Sequence, residues 1–196
     1  MTSPWRLALG DEFDRLDPGL REYVSELPPG IVGRGIGVFD VVGTPRRWLW
    51  PVLAVLGRHG IAFPVWQRHV PFEVENRGTP HGVAAIRRFC FPAGEREMRD
   101  EIRMDGGALV DRLGHRGRLE ARMRATAVDG ALELRSERLA VRMGGARIPI
   151  PFAPRFRLIE RRLDDGRQRV EFVLRAPVIG RIYEYAGEFR YRVEDA

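Results

Sequence analysis

Arg118-Leu119-Glu120-Ala121-Arg122-Met123-Arg124-Ala125 decides how this chain folds. Charged and apolar residues alternate one for one, and Arg169-Val170-Glu171-Phe172 does the same further on. A period of two is what a strand needs when one face meets a core and the other meets water. From Arg96 to Val193 segment after segment repeats it. Strands are expected near 31–42, 66–75, 81–91, 96–104, 107–113, 117–128, 131–142, 155–164, 168–176 and 181–193. Asp129-Gly130 and Asp165-Gly166 read as primed hairpin turns. The alternation slips between Ser136 and Leu139, which predicts a bulge. Residues 144–154, with Gly-Gly and three prolines, read as a long irregular crossing.

Helices are confined to two places. Ser3-Pro4 and Asp17-Pro18 each pair a capping residue with a proline at the first helical position, so two short N-terminal helices are expected. Thr44-Pro45 opens a third at 45–57, with a kink or restart at Pro51. This helix is apolar nearly all round, so Trp48, Leu49, Val52, Leu53 and Leu56 are expected to be mostly buried. A membrane-dipping helix with Arg46 and Arg47 at the headgroups is the weaker alternative. The fold class is therefore α+β and β-dominated. The expected form is a strongly curved antiparallel sheet or half-open barrel of about ten strands around a central helix, in one domain over 1–196.

Composition removes several functions. All 33 basic residues are arginine, so lysine Schiff-base chemistry and a P-loop lysine are absent. The net charge is +6, but arginines interleave with acids along the strands instead of segregating to one face, which disfavours nucleic-acid binding. The four histidines lack paired spacing and one cysteine offers no cluster, so no metal and no cofactor are expected. Met1-Thr-Ser-Pro has no basic start or apolar run, and a lone Cys90 suits a reducing compartment, so a cytoplasmic location is expected. Oligomeric state is open.

The informative residues are charges within inner rows. Asp100 interrupts Met98, Ile102 and Met104; Asp111 interrupts Leu109 and Leu113; Arg87 interrupts Ala85 and Phe89. Tyr183, Tyr185, Phe189 and Tyr191 form an aromatic row broken by Gly187. Buried charges need partners, so Arg87 is expected within ion-pair reach of Asp111 or Asp100, as a structural pair or as the polar end of an apolar pocket. Gly33, Gly35 and Gly37 bare one strand face, which lets a helix or another backbone come close; Ala121, Ala125 and Ala127 leave another shallow, and together the two faces also suggest space for a ligand.

Leu109-Val-Asp-Arg-Leu-Gly114, the Pro149-Ile-Pro151 crossing with Pro154, and Pro177-x-x-Gly180-Arg181 followed by Tyr185-x-Gly187 resemble an uncharacterised bacterial domain family. It is the domain of unknown function numbered four-one-six-six, found alone or after a saccharopine-dehydrogenase-like Rossmann module. Gly33-Arg34-Gly35 and Arg87-x-Phe89 extend the resemblance over nearly the whole chain. Ala85 departs from it, standing where an aromatic is expected. The resemblance implies domain identity and a place in small-molecule metabolism, and brings no catalytic residue.

Three readings stay open. The first binds an apolar or amphipathic small molecule in the sheet's concavity, through Arg87, Asp111, Tyr183, Tyr185 and Trp48. The second is a cofactor-independent cyclase or isomerase with Asp111 or Asp100 as general acid/base beside Arg87 and Tyr185. The third is an interaction domain with a filled interior.

Overall fold

The computed structural model describes residues 2–196. The described residues form eleven strands, ten of them in the expected segments and β8 outside them: β1 (Ile31–Gly43), β2 (Trp66–Thr79), β3 (Gly82–Phe91), β4 (Gly94–Asp105), β5 (Ala108–Leu113), β6 (Leu119–Val128), β7 (Ala131–Met143), β8 (Ala146–Pro149), β9 (Arg155–Arg162), β10 (Gln168–Ala176) and β11 (Gly180–Asp195). Every pairing is antiparallel, in the order β6-β5-β4-β3-β2-β1-β11-β10-β9-β7, and β6 pairs again with β7. The ring therefore closes. The expectation of a half-open sheet is corrected: a closed barrel leaves no edge with unpaired backbone groups. β8 lies outside the ring as a short flap on β7. It falls within the stretch read as irregular.

The predicted bulge is present. Arg122 pairs with Arg138 and Met123 with Ser136, so Glu137 is the extra residue. A second bulge at Asp40 keeps Phe39 and Val42 both inside. Asp129 and Gly130 both have positive φ, 50° and 79°, as a primed turn requires. The turn at Asp165-Gly166 differs, because Gly166 alone is left-handed and the loop is longer.

Three helices close the ends. At one end, α1 (Pro4–Leu9), a 3-10 turn over Gly10–Arg15, and α2 (Pro18–Tyr23) form a plug. Asp17 caps α2 through Gly19 N–H, as its sequence predicts. The Ser3 hydroxyl caps nothing and instead donates to the Val24 carbonyl. Asp17 N–H bonds the carbonyl of Gly130 in the β6–β7 turn, fixing the plug to that rim. Trp5, Leu9, Phe13, Leu16, Leu20 and Val24 are buried there.

The third helix is not central. After a 3-10 turn at Arg47–Leu49 the chain restarts at α3 (Trp50–Arg58), with Pro51 in its first turn. This segment leaves the sheet beyond the last β1–β2 pair, Gly43 and Trp66, and crosses the opposite end of the barrel. Arg46 donates to the carbonyls of Arg181 and Ile179 on one side, at 3.0 and 3.2 Å. On the other side, Arg99 N–H donates to Gly60 and His115 N–H to His59. The helix is a lid over the barrel, which explains its burial. Leu53 is buried and Leu49 and Leu56 half-buried, but Trp48 and Val52 are 58 % and 59 % exposed, against expectation. No helix among the described residues is long and apolar enough to cross a membrane.

The inner glycines of β1 serve close packing. A Cβ at Gly33 would strike the Tyr191 hydroxyl, and one at Gly37 would strike the Glu188 carbonyl of β11. Gly37→Ala is therefore expected to cost about 1–3 kcal/mol as overpacking that the backbone cannot relieve. Gly145→Ala, with open space around it, is expected to be near neutral. Thermal melts of the two variants compare these costs directly.

Candidate functional site

Two apolar clusters fill most of the barrel. One joins the plug to β3–β7 and includes Ala121, Ala125 and Ala127. The other is aromatic, with Phe39, Phe72 and Phe89 in mutual ring contact, Phe189 against Phe72, and Phe63 and Phe91 beside Phe89. Neither face expected to be bare is empty. The glycine face is covered by Tyr191, Phe189 and Val74, and the alanine face by α1 and the turn after it.

Space remains between the clusters and the lid. A cavity of about 340 Å³ has Trp5 and Tyr23 among its walls on the plug side and Leu49, Val52, Leu53 and Leu56 on the lid side. Leu132, Leu134, Leu158, Phe172 and Tyr185 are among the strand residues between them. Val52 is both a wall residue and largely exposed, so the lid is where the cavity meets solvent. Its volume falls at the lower end of the range for small-molecule sites.

Four charged side chains enter this apolar wall: Arg87, Asp100, Asp111 and Glu160. The register puts them there. Arg87 on β3 faces Met98, Asp100 on β4 faces Ala85 and Leu113, and Asp111 on β5 faces Ile102 and Ala121. Glu160 enters from β9, opposite Leu132 and Val170. Arg87 Nη1 ion-pairs with Asp100 Oδ1, as the sequence predicts for one of the two aspartates. Asp111 is not its ion-pair partner, though Arg87 acts on it through space.

One arginine thus faces three carboxyls. Burial pushes Asp111 up to about 7, while Arg87 pulls it down. Burial also pushes Glu160 up to about 7, against Arg87 and a 3.2 Å hydrogen bond from Gln168 Nε2. Asp100 Oδ2 and Asp111 Oδ1 are buried without a hydrogen-bond partner, as is Gln168 Oε1. The polar end of the cavity is short of donors.

The tyrosines divide. Tyr185 stacks on Phe172 at 4.6 Å, and burial pushes its hydroxyl well above the usual range. Tyr183 also lines the cavity; its hydroxyl accepts from Phe63 N–H at 3.4 Å. Tyr191 bonds Asn76 and is not in the wall. Trp48 sits outside the cavity, on the exposed face of the lid. Among the described residues no group of three or more His, Cys, Asp or Glu side chains is placed to hold a metal ion.

Glu160, Gln168 and Tyr23 complete the site beyond the residues singled out in sequence. Glu160 had a signal: it ends the inner row Phe156, Leu158, Glu160, as Asp100 and Asp111 interrupt theirs. The neighbouring Arg161-Arg162 makes it read as solvated charge. Tyr23 lies in an ordinary amphipathic stripe, and nothing local marks it.

The family described as a domain of unknown function, DUF4166, matches residues 16–189, and the chain belongs to it. No curated protein matches the chain.

Proposed function

We propose that this member of an uncharacterised family binds an apolar or amphipathic small molecule inside the barrel, beneath the α3 lid. The observation that carries this is an apolar cavity ending in Arg87, Asp100, Asp111 and Glu160. Ligand sites pair an apolar wall with a few convergent polar groups in this way. The polar end of the ligand follows from the charges. Arg87 is committed to Asp100, so it offers little to an anionic head. Carboxyl oxygens without donors favour a head that donates hydrogen bonds, a hydroxyl or an amine. A small metabolite also fits the association with saccharopine-dehydrogenase-like modules that the bacterial family resemblance implies.

The test is a thermal-shift series of one alkyl chain carrying an alcohol, an amine or a carboxylate. Alcohol and amine are expected to raise the melting temperature. At a hundredfold excess over Kd the gain is about 2.7 kcal/mol, or about 5–10 °C for a chain of this size. The carboxylate is expected to do least. Stabilisation by none of the three would defeat the reading and leave an interaction domain.

A specific observation favours one second reading. Asp111, held near 7 in a dry wall beside Arg87, is poised for general acid/base work, as a cofactor-independent cyclase or isomerase requires. Tyr185 and Asp100 would then position the substrate.

A further inference from the structure

The lid end of the barrel differs from the rest of the surface. Exposed apolar side chains gather there on three separate loops. Trp48, Val52 and Val55 come from the lid, Phe152 from the β8–β9 loop, and Val178 and Ile179 from the β10–β11 turn. Phe152 is 92 % exposed and Val178 fully so. Both have positive φ, 52° and 64°, a conformation that is strained for a bulky or β-branched residue. Strain that points an apolar side chain into water stabilises nothing within this chain.

Arginines run between these tips. Arg155, Arg175 and Arg181 are direct cross-strand neighbours on β9, β10 and β11. Arg181 has Glu184 at 2.6 Å. Among the described residues Arg155 and Arg175 have no carboxylate in ion-pair reach, so two like charges stand opposite each other unrelieved. Such a pair is destabilising on a sheet. Arg46 and Arg47 continue the row onto the lid, and both are exposed.

We propose that this end of the barrel docks on an anionic lipid bilayer. Phe152, Val178, Trp48 and Val55 enter the boundary between headgroups and acyl chains, and the arginine row takes the lipid phosphates. Charge selects this occupant over a second copy. A two-fold interface places the same patch on both partners and would set one arginine row against another. The inference goes beyond the ligand reading and does not depend on it, since docking needs no occupied cavity.

Flotation of the full chain with phosphatidylcholine vesicles, with and without phosphatidylglycerol, tests it. Binding is expected with the anionic vesicles, with a blue shift in tryptophan emission as Trp48 enters the bilayer, and little binding with phosphatidylcholine alone. Phe152→Asn with Val178→Gly places residues that accept positive φ at both tips, so the fold is kept and its melting temperature is expected at or above the parent's. Vesicle binding of that variant is expected to fall at least tenfold. Arg155→Gln with Arg175→Gln is expected to remove the preference for phosphatidylglycerol while relieving the like-charge pair. Absence of binding and of an emission shift with anionic vesicles would overturn the proposal, as would undiminished binding by the tip variant. A dimer in sedimentation that the tip variant disperses would assign the surface to a second copy instead.

Discussion

Arg87→Met is expected to be among the most damaging single substitutions in this chain. The methionine keeps the apolar stem between Val74 and Met98, so packing is nearly conserved. What is lost is the cation facing three buried carboxyls. Asp100, 6 % exposed, would be left with an uncompensated charge. Removing one partner of a buried pair costs about 3–5 kcal/mol. For a chain of this length that lowers the melting temperature by roughly 10 °C or more. Asp100→Leu in the Arg87→Met background is expected to recover most of the loss, because replacing both partners by apolar groups is often neutral. The loss is also expected to be smaller at pH 5 than at pH 8, since proton uptake by the acids replaces the missing cation. A loss below 1 kcal/mol at both pH values would show that Arg87 does not hold this cluster together.

The barrel was legible because its signal is local and periodic. Each strand states its inner and outer faces every two residues, and Glu137 marks its own bulge by breaking that period. Ring closure is different. It depends on β1 meeting β11, the first and last strands, after the chain has gone round, and no local turn encodes that pairing. The lid misled for a related reason. Residues 48–56 are apolar all round, yet α3 crosses the end of a barrel and has only one face to bury, so Trp48 remains outside and Val52, at the cavity rim, stays largely exposed.

The site was legible in proportion to how much each residue violates its row. Arg87, Asp100 and Asp111 do so plainly, and the structure brings them to one cavity. The reasons first suggesting a cavity did not hold, although one exists. Small inner residues mark places where something else comes close, and in this chain that is Tyr191 at Gly33 and the N-terminal helices at Ala121 to Ala127. Empty space arises instead where large residues from six or more elements fail to meet. That depends on the size and tilt of the ring, which periodicity does not state.

The pH dependence of stability follows from the same cluster, with an unusual sign. Asp111 and Glu160 have folded-state values near 7, well above those of an unfolded chain. An acid raised in this way holds its proton longer in the folded state, so stability falls as pH rises from about 4 to about 7 and then levels off. Each carboxyl is expected to withdraw on the order of 2–4 kcal/mol across that window. The opposite limb lies lower. Glu133, held at about 2 chiefly by its hydrogen bond from Arg157, lends stability above about pH 4 that is lost as pH falls toward 2. Glu75 and Glu97, lowered by hydrogen bonds from Arg77 and Arg99, act in the same direction. The melting temperature should therefore peak between about pH 4 and 6 and not at neutrality. The groups facing the two acids are Arg87, Asp100, Tyr23, Tyr185 and Tyr191, and none of the cations or phenols among them titrates in this window. Asp111→Asn with Glu160→Gln removes both titrations and should flatten the neutral limb. The expected gain is on the order of 10 °C or more at pH 8 with little change at pH 5. The paired variant is the decisive one because the two acids share Arg87, and either alone can take up part of the other's shift. A parent protein whose melting temperature rises steadily from pH 4 to pH 8 would mean that Asp111 and Glu160 are ionised and well solvated in the fold. An aqueous interior of that kind would also remove the dry polar end on which the ligand assignment rests.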